Sequence, residues 1–422
     1  MSARMLEGGQ QYASKKASWL QRKTRTAVLE RLSRIEHGEL TIRDGDRVHK
    51  FGKRSPICDI EVTIEILDPE FFVDVALGGS VGGAEAYMEN SWACGDLTGF
   101  IRLLIRNRHV LDAIETGLAS LKAPLRRWSH WTNRNHMENS RRNIRAHYDL
   151  GNEFFALFLD PTMMYSSGIF PSATDSMETA SLAKLERICS ILELSEADHV
   201  LEIGTGWGGF AEFAASRYGC RVTTTTISSE QFQFARARIR AAGLEDRVTL
   251  LDHDYRLLEG QYDKLVSIEM IEAVGHEHFD VFFSKCSDLL KPDGMMLLQS
   301  ITIADHQYES SRRSVDFIQK YIFPGGALPS LSALTASLGR ATDLCVAELI
   351  DIGPHYAETL RRWRDSFFAH IAKIREMGFP EEFIRMWEYY FCYCEAGFEE
   401  RVIGDLQVLL RKPLCGTGSI SG

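Results

Sequence analysis

At 422 residues the chain exceeds one ordinary core, so two domains are the natural expectation. Apolar residues at 45% and charged residues at 25% are the proportions of a folded globular protein, and a formal net charge of -10 excludes nucleic acid as a partner. The N-terminus, Met1-Ser2-Ala3-Arg4-Met5-Leu6-Glu7, lacks the apolar run of a signal peptide, and no window approaches roughly eighteen uninterrupted apolar residues, so a cytoplasmic protein is expected.

In chain order, Gly38 to Ile66 alternates in strand fashion with a turn at Arg43-Asp44-Gly45-Asp46, and Glu70 to Ala76 and Ala84 to Asn90 read as helices. Residues 1–130 are thus expected to form a small α+β domain, with the remainder, 131–422, forming the second. Between them runs a basic stretch with Arg102, Arg106, Arg108, Lys122, Arg126, Arg127, Arg134, Arg141, Arg142 and Arg145, interleaved with Trp128 and Trp131. On an otherwise acidic chain it reads either as a contact for an anionic lipid surface or as a solvated helix and linker.

From about 199 to 303 short strand-like runs alternate with helical periods, the signature of a parallel sheet with crossover helices. Strands are predicted at His199–Ile203, Arg221–Ile227, Val248–Asp252, Tyr262–Glu269 and Gly294–Ile303, the last after a turn at Lys291-Pro292-Asp293-Gly294. Helices are predicted at Trp207–Tyr218, from Ser229 with Ser228 or Ser229 as N-cap, and at His276–Leu290. Cys345–Ile352 and Asp405–Leu410 look like further strands, separated by helical segments at 354–376 and 380–400.

The most informative stretch is Val200-Leu201-Glu202-Ile203-Gly204-Thr205-Gly206-Trp207-Gly208-Gly209-Phe210, a buried strand running through a glycine turn into a helix. Its glycines permit a tight turn and close approach of backbone to a nucleoside, although the pattern alone leaves NAD and S-adenosylmethionine both open. The nine cysteines are odd in number and scattered, which points to reduced thiols. Cys392-Tyr393-Cys394 and His276-Glu277-His278 have the wrong spacing for a metal site, so none is expected.

Three further segments make the reading specific: His147-Tyr148-Asp149-Leu150-Gly151-Asn152-Glu153-Phe154-Phe155 with Leu159 to Gly168, Ser267-Ile268-Glu269-Met270-Ile271-Glu272-Ala273-Val274-Gly275-His276, and Tyr321-Ile322-Phe323-Pro324-Gly325-Gly326. With the glycine turn they closely resemble the cyclopropane fatty acid synthase and mycolic acid cyclopropane synthase family over about residues 140 to 415. The first 130 residues resemble, less sharply, the lipid-binding domain of its phospholipid-acting branch. The resemblance implies an α/β fold of the class I S-adenosylmethionine-dependent methyltransferase type, Rossmann-like with a seven-stranded sheet, behind an N-terminal α+β lipid-binding domain. By similarity Glu202, Gly204, Gly206, Trp207 and Gly208 cradle S-adenosylmethionine. Thr226, Ser228 and Gln231 lie along its ribose and adenine, Asp254 and Tyr255 flank the adenine, and Tyr165 and Ser166 close over the methionine end. Strand two does not end in the acid that most nucleoside-binding sheets use for the ribose, which argues against NAD.

The implied acceptor is a cis double bond in an acyl chain of a membrane phospholipid, reached by a protein peripherally associated with the inner membrane surface. An alkene is a poor nucleophile and attacks the methyl group only when held in line and dry. The cation so formed is resolved in the family by a bound bicarbonate, whose ligands fall here on Ser167, Glu272, Gln299, Ile301 and Tyr356. Ser167 stands where cysteine is usual, Gln299 where histidine is usual, and Ala273 replaces another histidine. Serine and glutamine still donate hydrogen bonds, but glutamine cannot shuttle a proton. The expected product is therefore a cyclopropane fatty acid, with a methyl-branched or methyl-alkene chain as the alternative, a branched product requiring a redox partner. A non-catalytic lipid-binding paralogue is a further alternative, and the family admits a homodimer. Cys394 coincides with a cysteine assigned to catalysis in the family, although its apolar and aromatic neighbours favour packing.

Overall fold

The computed structural model describes residues 18–116 and 150–416. The basic stretch from Lys122 to Arg145, with Trp128 and Trp131, and the opening His147-Tyr148-Asp149 of the first motif lie outside the described residues. The described chain divides into two compact units, one holding 18–95 with 107–116 and the other 96–106 with 150–416.

The smaller unit is a four-stranded sheet of β1 (Gly38–Asp44), β2 (Arg47–Lys53), β3 (Glu61–Ile66) and β4 (Trp92–Cys94), in the order β2-β1-β3-β4. Asp44 pairs with Arg47, so Gly45, at φ +58°, and Asp46 make the hairpin turn where the sequence suggested one. β3 alternates strictly, with Val62, Ile64 and Ile66 turned inward. The two helices expected at 70–76 and 84–90 form one element, Phe71–Met88, interrupted at Gly79, whose φ of 62° and ψ of -142° are not helical.

The larger unit carries seven strands: β5 (His199–Ile203), β6 (Arg221–Thr225), β7 (Val248–Leu251), β8 (Tyr262–Ile268), β9 (Leu290–Ile303), β10 (Cys345–Asp351) and β11 (Ile403–Arg411). Their order is β10-β11-β9-β8-β5-β6-β7, with β11 antiparallel to both neighbours and the other pairs parallel. β10 and β11, the two further strands expected from the sequence, pair antiparallel with each other at one edge, β11 being the reversed strand and lying inside β10. Likewise β9 begins at Leu290, and the expected turn at 291–294 is an irregularity in the ladder, where Tyr262 pairs with Leu290 and Lys264 with Met295.

Alternate residues of the central strands feed two cores. Leu201, Leu265, Leu298 and Leu410 join Phe282 and Phe283 on one face, whereas Val200, Val266, Leu297 and Leu409 join Phe210 and Ala214 on the other. Each such fully buried Leu, Val or Phe stabilises the fold by about 1.5–3 kcal/mol. A sheet covered on both faces leaves the carboxyl ends of its parallel strands as the open site.

Helix Leu97–Arg106 packs with the larger unit. Arg102 pairs with Glu399 and Glu400 at 2.6 and 2.7 Å, and Arg106 with Glu400 at 2.8 Å. These two arginines of the basic stretch are therefore neutralised by helix Glu381–Glu399 and its end. Among the described residues no helix is long and apolar enough to cross a membrane.

Candidate active site

β5 ends at Ile203, and the chain turns through Gly204, Gly206 and Gly208 at φ of 104°, 51° and 83° before helix Gly209–Tyr218 begins. L side chains rarely adopt these angles. A Cβ on Gly204 would also meet Met270 Cγ at 3.2 Å, while one on Gly206 would meet nothing within 4 Å. The turn is thus closed towards Met270 and open at Gly206. Trp207 is held below it, its indole N–H donating to Asn152 Oδ1 at 2.6 Å.

The neighbouring residues sort into two groups. At the end of β6, Ser228 caps helix Ser229–Ala241, its Oγ accepting from Gln231 N–H at 3.4 Å, while Thr226 Oγ1 donates to Gln231 Oε1 at 3.1 Å. This cap holds the strand end beside the glycine turn. Glu202 instead faces into the sheet, accepting from Thr224 Oγ1 at 2.6 Å, and burial pushes its pKa up to about 8. Asp254 caps its own short helix and pairs with Arg256 at 2.6 Å, which keeps its carboxyl below the ordinary range. Tyr255 sets its ring edge against Phe282, with centroids 5.5 Å apart.

The second part of the site is a knot of carboxylates where β8, β9 and β11 lie side by side. Ile268 registers with Gln299 on β9, and Gln299 with Gln407 on β11. Glu269 follows β8 directly, at an unusual φ of 49° for a non-glycine residue. Its carboxylate accepts from three groups: Ser167 N–H at 3.0 Å, Gln299 Nε2 at 2.7 Å and Tyr356 OH at 2.8 Å. Glu272 accepts from Ile301 N–H at 2.5 Å and Ser300 Oγ at 3.1 Å through Oε1, and its buried Oε2 has no partner among the described residues. The Ser167 hydroxyl is spent on Gly168 carbonyl at 2.9 Å.

Burial raises the carboxyls of Glu269, Glu272 and Asp405 above their ordinary range, Glu272 to about 8. The field of Lys184 opposes this at Glu269 and Asp405. Lys184 is fully buried, donates to Ser166 Oγ at 2.5 Å, and is itself lowered to about 8, chiefly by desolvation. Over the knot stands an aromatic wall. Tyr165 packs against Phe155 and Trp363 at 5.3 and 5.2 Å and donates to Tyr390 OH at 3.0 Å, and Tyr356 stacks on Phe398 at 4.5 Å. A glycine turn at one strand end and a buried aromatic wall with carboxylates beside it are the kinds of surface that suit a nucleoside and an apolar chain.

Residues 135–408 match the family profile of mycolic acid cyclopropane synthetase. The chain belongs to that family. It is 40% identical over 329 residues to the tuberculostearic acid methyltransferase UfaA1 of Mycobacterium tuberculosis, covering 76% of each chain. It is 35% identical over 360 residues to the cyclopropane-fatty-acyl-phospholipid synthase of Escherichia coli K12, covering 83% of this chain and 87% of that one. Its fold is similar to the mycolic acid cyclopropane synthase CmaA1 in complex with SAH and CTAB, with a TM-score of 0.59 at 30% identity, covering 64% of this chain and 97% of that one.

As a member of the mycolic acid cyclopropane synthetase family, the chain is an S-adenosylmethionine-dependent methyltransferase of lipid acyl chains. The open space at Gly206 fits that cofactor. The structure brings Gly204, Gly206, Trp207 and Gly208 after β5 beside Thr226, Ser228 and Gln231 after β6, and Ser167, Gln299 and Tyr356 around the carboxylate of Glu269. Glu202 and Asp254 have their carboxylates engaged within the protein. Cys394 lies in the helix of the aromatic wall, where burial drives its thiol pKa far up.

Sequence reasoning missed four residues. Glu269 shares its motif with Glu272, three residues before it. Lys184 is a lone cation among the buried positions Ala180, Ser181, Leu185 and Ile188 of helix Met177–Ile191. Asp405 and Gln407 stand two apart on one face of buried β11. Such polar residues at core positions are the signal that could have found the last three.

Proposed function

We propose that this enzyme transfers the methyl group of S-adenosylmethionine to the cis double bond of an unsaturated acyl chain carried by a membrane phospholipid, and that Glu269 then takes the proton, leaving a methylated alkene. One observation carries the reading. Ser167, Gln299 and Tyr356, three of the groups that the resemblance gives to bicarbonate, all donate to the carboxylate of Glu269. Ile301, a fourth, donates to Glu272. In this reading an internal carboxylate takes the place that the resemblance gives to an external one.

When bound, S-adenosylmethionine supplies an electrophilic methyl group. In this reading the glycine turn and the cap at Thr226, Ser228 and Gln231 hold it, with Tyr255 beside the adenine and Tyr165 and Ser166 at the methionine end. The aromatic wall excludes water and holds the alkene in line. The alkene π pair forms the new carbon–carbon bond as the methyl–sulfur bond breaks, leaving a carbocation on the acyl chain. Tyr165, Tyr356 and Trp363 face that charge with their rings. A C–H bond then breaks, its electron pair closes the new double bond, and the proton goes to a carboxylate oxygen of Glu269. No reductant is needed. The N-terminal unit, 1–130 in the sequence reading, serves as the lipid-binding domain of a peripheral membrane enzyme.

A second reading, ring closure to a cyclopropane, is favoured by the retained Glu272, Ile301 and Tyr356 and by the similarity to the Escherichia coli synthase. The two products have equal mass, so proton NMR separates them. Expression in a host lacking its own synthase, fed methyl-¹³C methionine, is expected to yield ¹³C-labelled lipid with olefinic signals and no high-field ring signals. Ring signals would establish the second reading, and absence of label would defeat both.

A further inference from the structure

We propose that Asp405 is the proton-holding partner of Glu269: the two carboxyls form a pair carrying one proton at rest, held by Asp405, so that Glu269 stands ionised. The inference rests on the reading of Glu269 as the base. It begins at the surface of the domain. Arg187 can only donate, and its Nε donates to Gln407 Oε1 at 3.0 Å while its NH2 group pairs with Glu348 at 3.0 Å. Gln407 therefore points its Nε2 inward, where it donates to Gln299 Oε1 at 3.0 Å. Gln299 is turned in the same sense, and its Nε2 has two acceptors, Glu269 Oε1 at 2.7 Å and Asp405 Oδ2 at 3.0 Å. The relay from Arg187 fixes an orientation that geometry alone would leave ambiguous.

Two carboxyls sharing one amide nitrogen in a buried site cannot both be ionised cheaply. Their surroundings are unequal. Glu269 has Ser167 N–H, Gln299 and Tyr356 OH, whereas Asp405 has Gln299 on Oδ2 and, among the described residues, no partner on its buried Oδ1. Negative charge settles where the donors are, and the proton settles on Asp405. Burial, and then the charges of Glu269 and Glu272, hold the Asp405 carboxyl well above the ordinary range, and a hydrogen bond to Glu269 adds to this.

The charged and titratable groups around the pair are Glu272 from the turn after β8, Lys184 from helix Met177–Ile191, Tyr165 from the segment before that helix, Tyr356 from helix Gly353–Ala369, Tyr390 from helix Glu381–Glu399, and Asp351 from β10, whose Oδ1 accepts from Asp405 N–H at 3.3 Å. Lys184 is the cation whose field offsets the one resting charge. The proton taken from the substrate is then the second on the pair, and its release to solvent restores the resting state. Asp405 acts through Glu269 and is a positioning residue.

Infrared spectroscopy of the full-length enzyme tests this at about pH 7, below the value of about 8 to which Lys184 is lowered, so that its charge is present; Glu202, Glu272 and Asp74, each raised to about 8, also keep their protons there and cancel in the difference between wild type and Asp405→Asn. In that difference a protonated-carboxyl C=O band is expected, present in the wild type and absent in Asp405→Asn. In Asp74→Asn enzyme carrying carboxyl-¹³C aspartate, with Asp405 intact, the band is expected to shift, which covers the case in which the Asp405 variant does not fold. Asp405→Asn, whose amide donates permanently, is expected to keep at least about tenfold more methyl-transfer rate than Asp405→Leu, from a base worth roughly 10²–10⁴. A band that neither shifts with the label nor disappears in Asp405→Asn, or equal rates in the two variants, overturns the inference. Full activity in Glu269→Gln overturns the reading of Glu269 as base, separately from the infrared result.

Discussion

The turn at the end of β5 and the carboxylate knot at the ends of β8, β9 and β11 belong to one sheet but are built in opposite ways. The turn is made of backbone: three glycines at positive φ within five residues, followed by a helix. The knot is made of side chains drawn from Lys184, Glu269, Gln299, Tyr356 and Asp405, joined by the backbone N–H of Ser167, and it exists only when the sheet has assembled. A backbone site tolerates no Cβ at its strained positions, and a side-chain site tolerates no loss of charge or donor. The first binds by shape, and the second is proposed to act by moving a proton.

The largest expected effect falls on the knot. Glu269→Gln keeps the size of the side chain and removes the base, so the methyl-transfer rate on unsaturated phospholipid vesicles is expected to fall by about 10²–10⁴, with little change in affinity for S-adenosylmethionine. Gly204→Ala should do the reverse. Its φ of 104° and the contact with Met270 carry strain of roughly 1–3 kcal/mol, and calorimetry is expected to show cofactor affinity lower by about tenfold to a hundredfold. If the Glu269 variant instead lost cofactor binding, the division between the two regions would collapse.

The pH dependence separates them further. Glu269 must be ionised to accept a proton, and burial raises its pKa, so the rate is expected to be full above that pKa and lost as pH falls through it, at a pH above the ordinary value of 4.5. A steady-state rate profile with its acid limb at or below the ordinary value would contradict this. Glu202, beneath the glycine turn, affects stability instead. It ionises near 4.5 when unfolded and at about 8 when folded, so its contribution is full below about pH 4.5 and is lost as pH rises to about 8. Glu202→Gln is expected to gain on the order of 1–3 kcal/mol relative to wild type between those limits, read from denaturant melts at the two pH values. The smallest effect belongs to Cys394, whose buried thiol stays protonated: Cys394→Ala is expected to change the rate by about twofold or less.

How much of this the sequence carried follows from the same contrast. The glycine turn was legible because its residues are contiguous and their conformational need is local, and the strands of the sheet were legible from their apolar runs. The reversed β11 lying inside β10 was not, because strand order is set by pairing between segments roughly a hundred residues apart. The knot was half legible. Ser167, Glu272, Gln299, Ile301 and Tyr356 are what the resemblance gives to an external anion, yet nothing in a linear motif says that Glu269, three residues before Glu272, accepts from Ser167, Gln299 and Tyr356. Its position is fixed by the register of Ile268 on Gln299 and by the turn at φ 49° that follows. Lys184 and Asp405 were hidden differently, as charges at core positions of a helix and a strand whose burial only packing reveals.

The direct test of Glu269 as the internal replacement for bicarbonate is the rate measured in buffer freed of carbon dioxide and then supplemented with bicarbonate. Glycine suits the positive φ at position 269, so Glu269→Gly should fold and leave room for the anion. The account predicts a wild-type rate indifferent to bicarbonate, and a Glu269→Gly variant that is inactive without it and partly restored by it. A wild-type enzyme that loses its activity when bicarbonate is removed would contradict it.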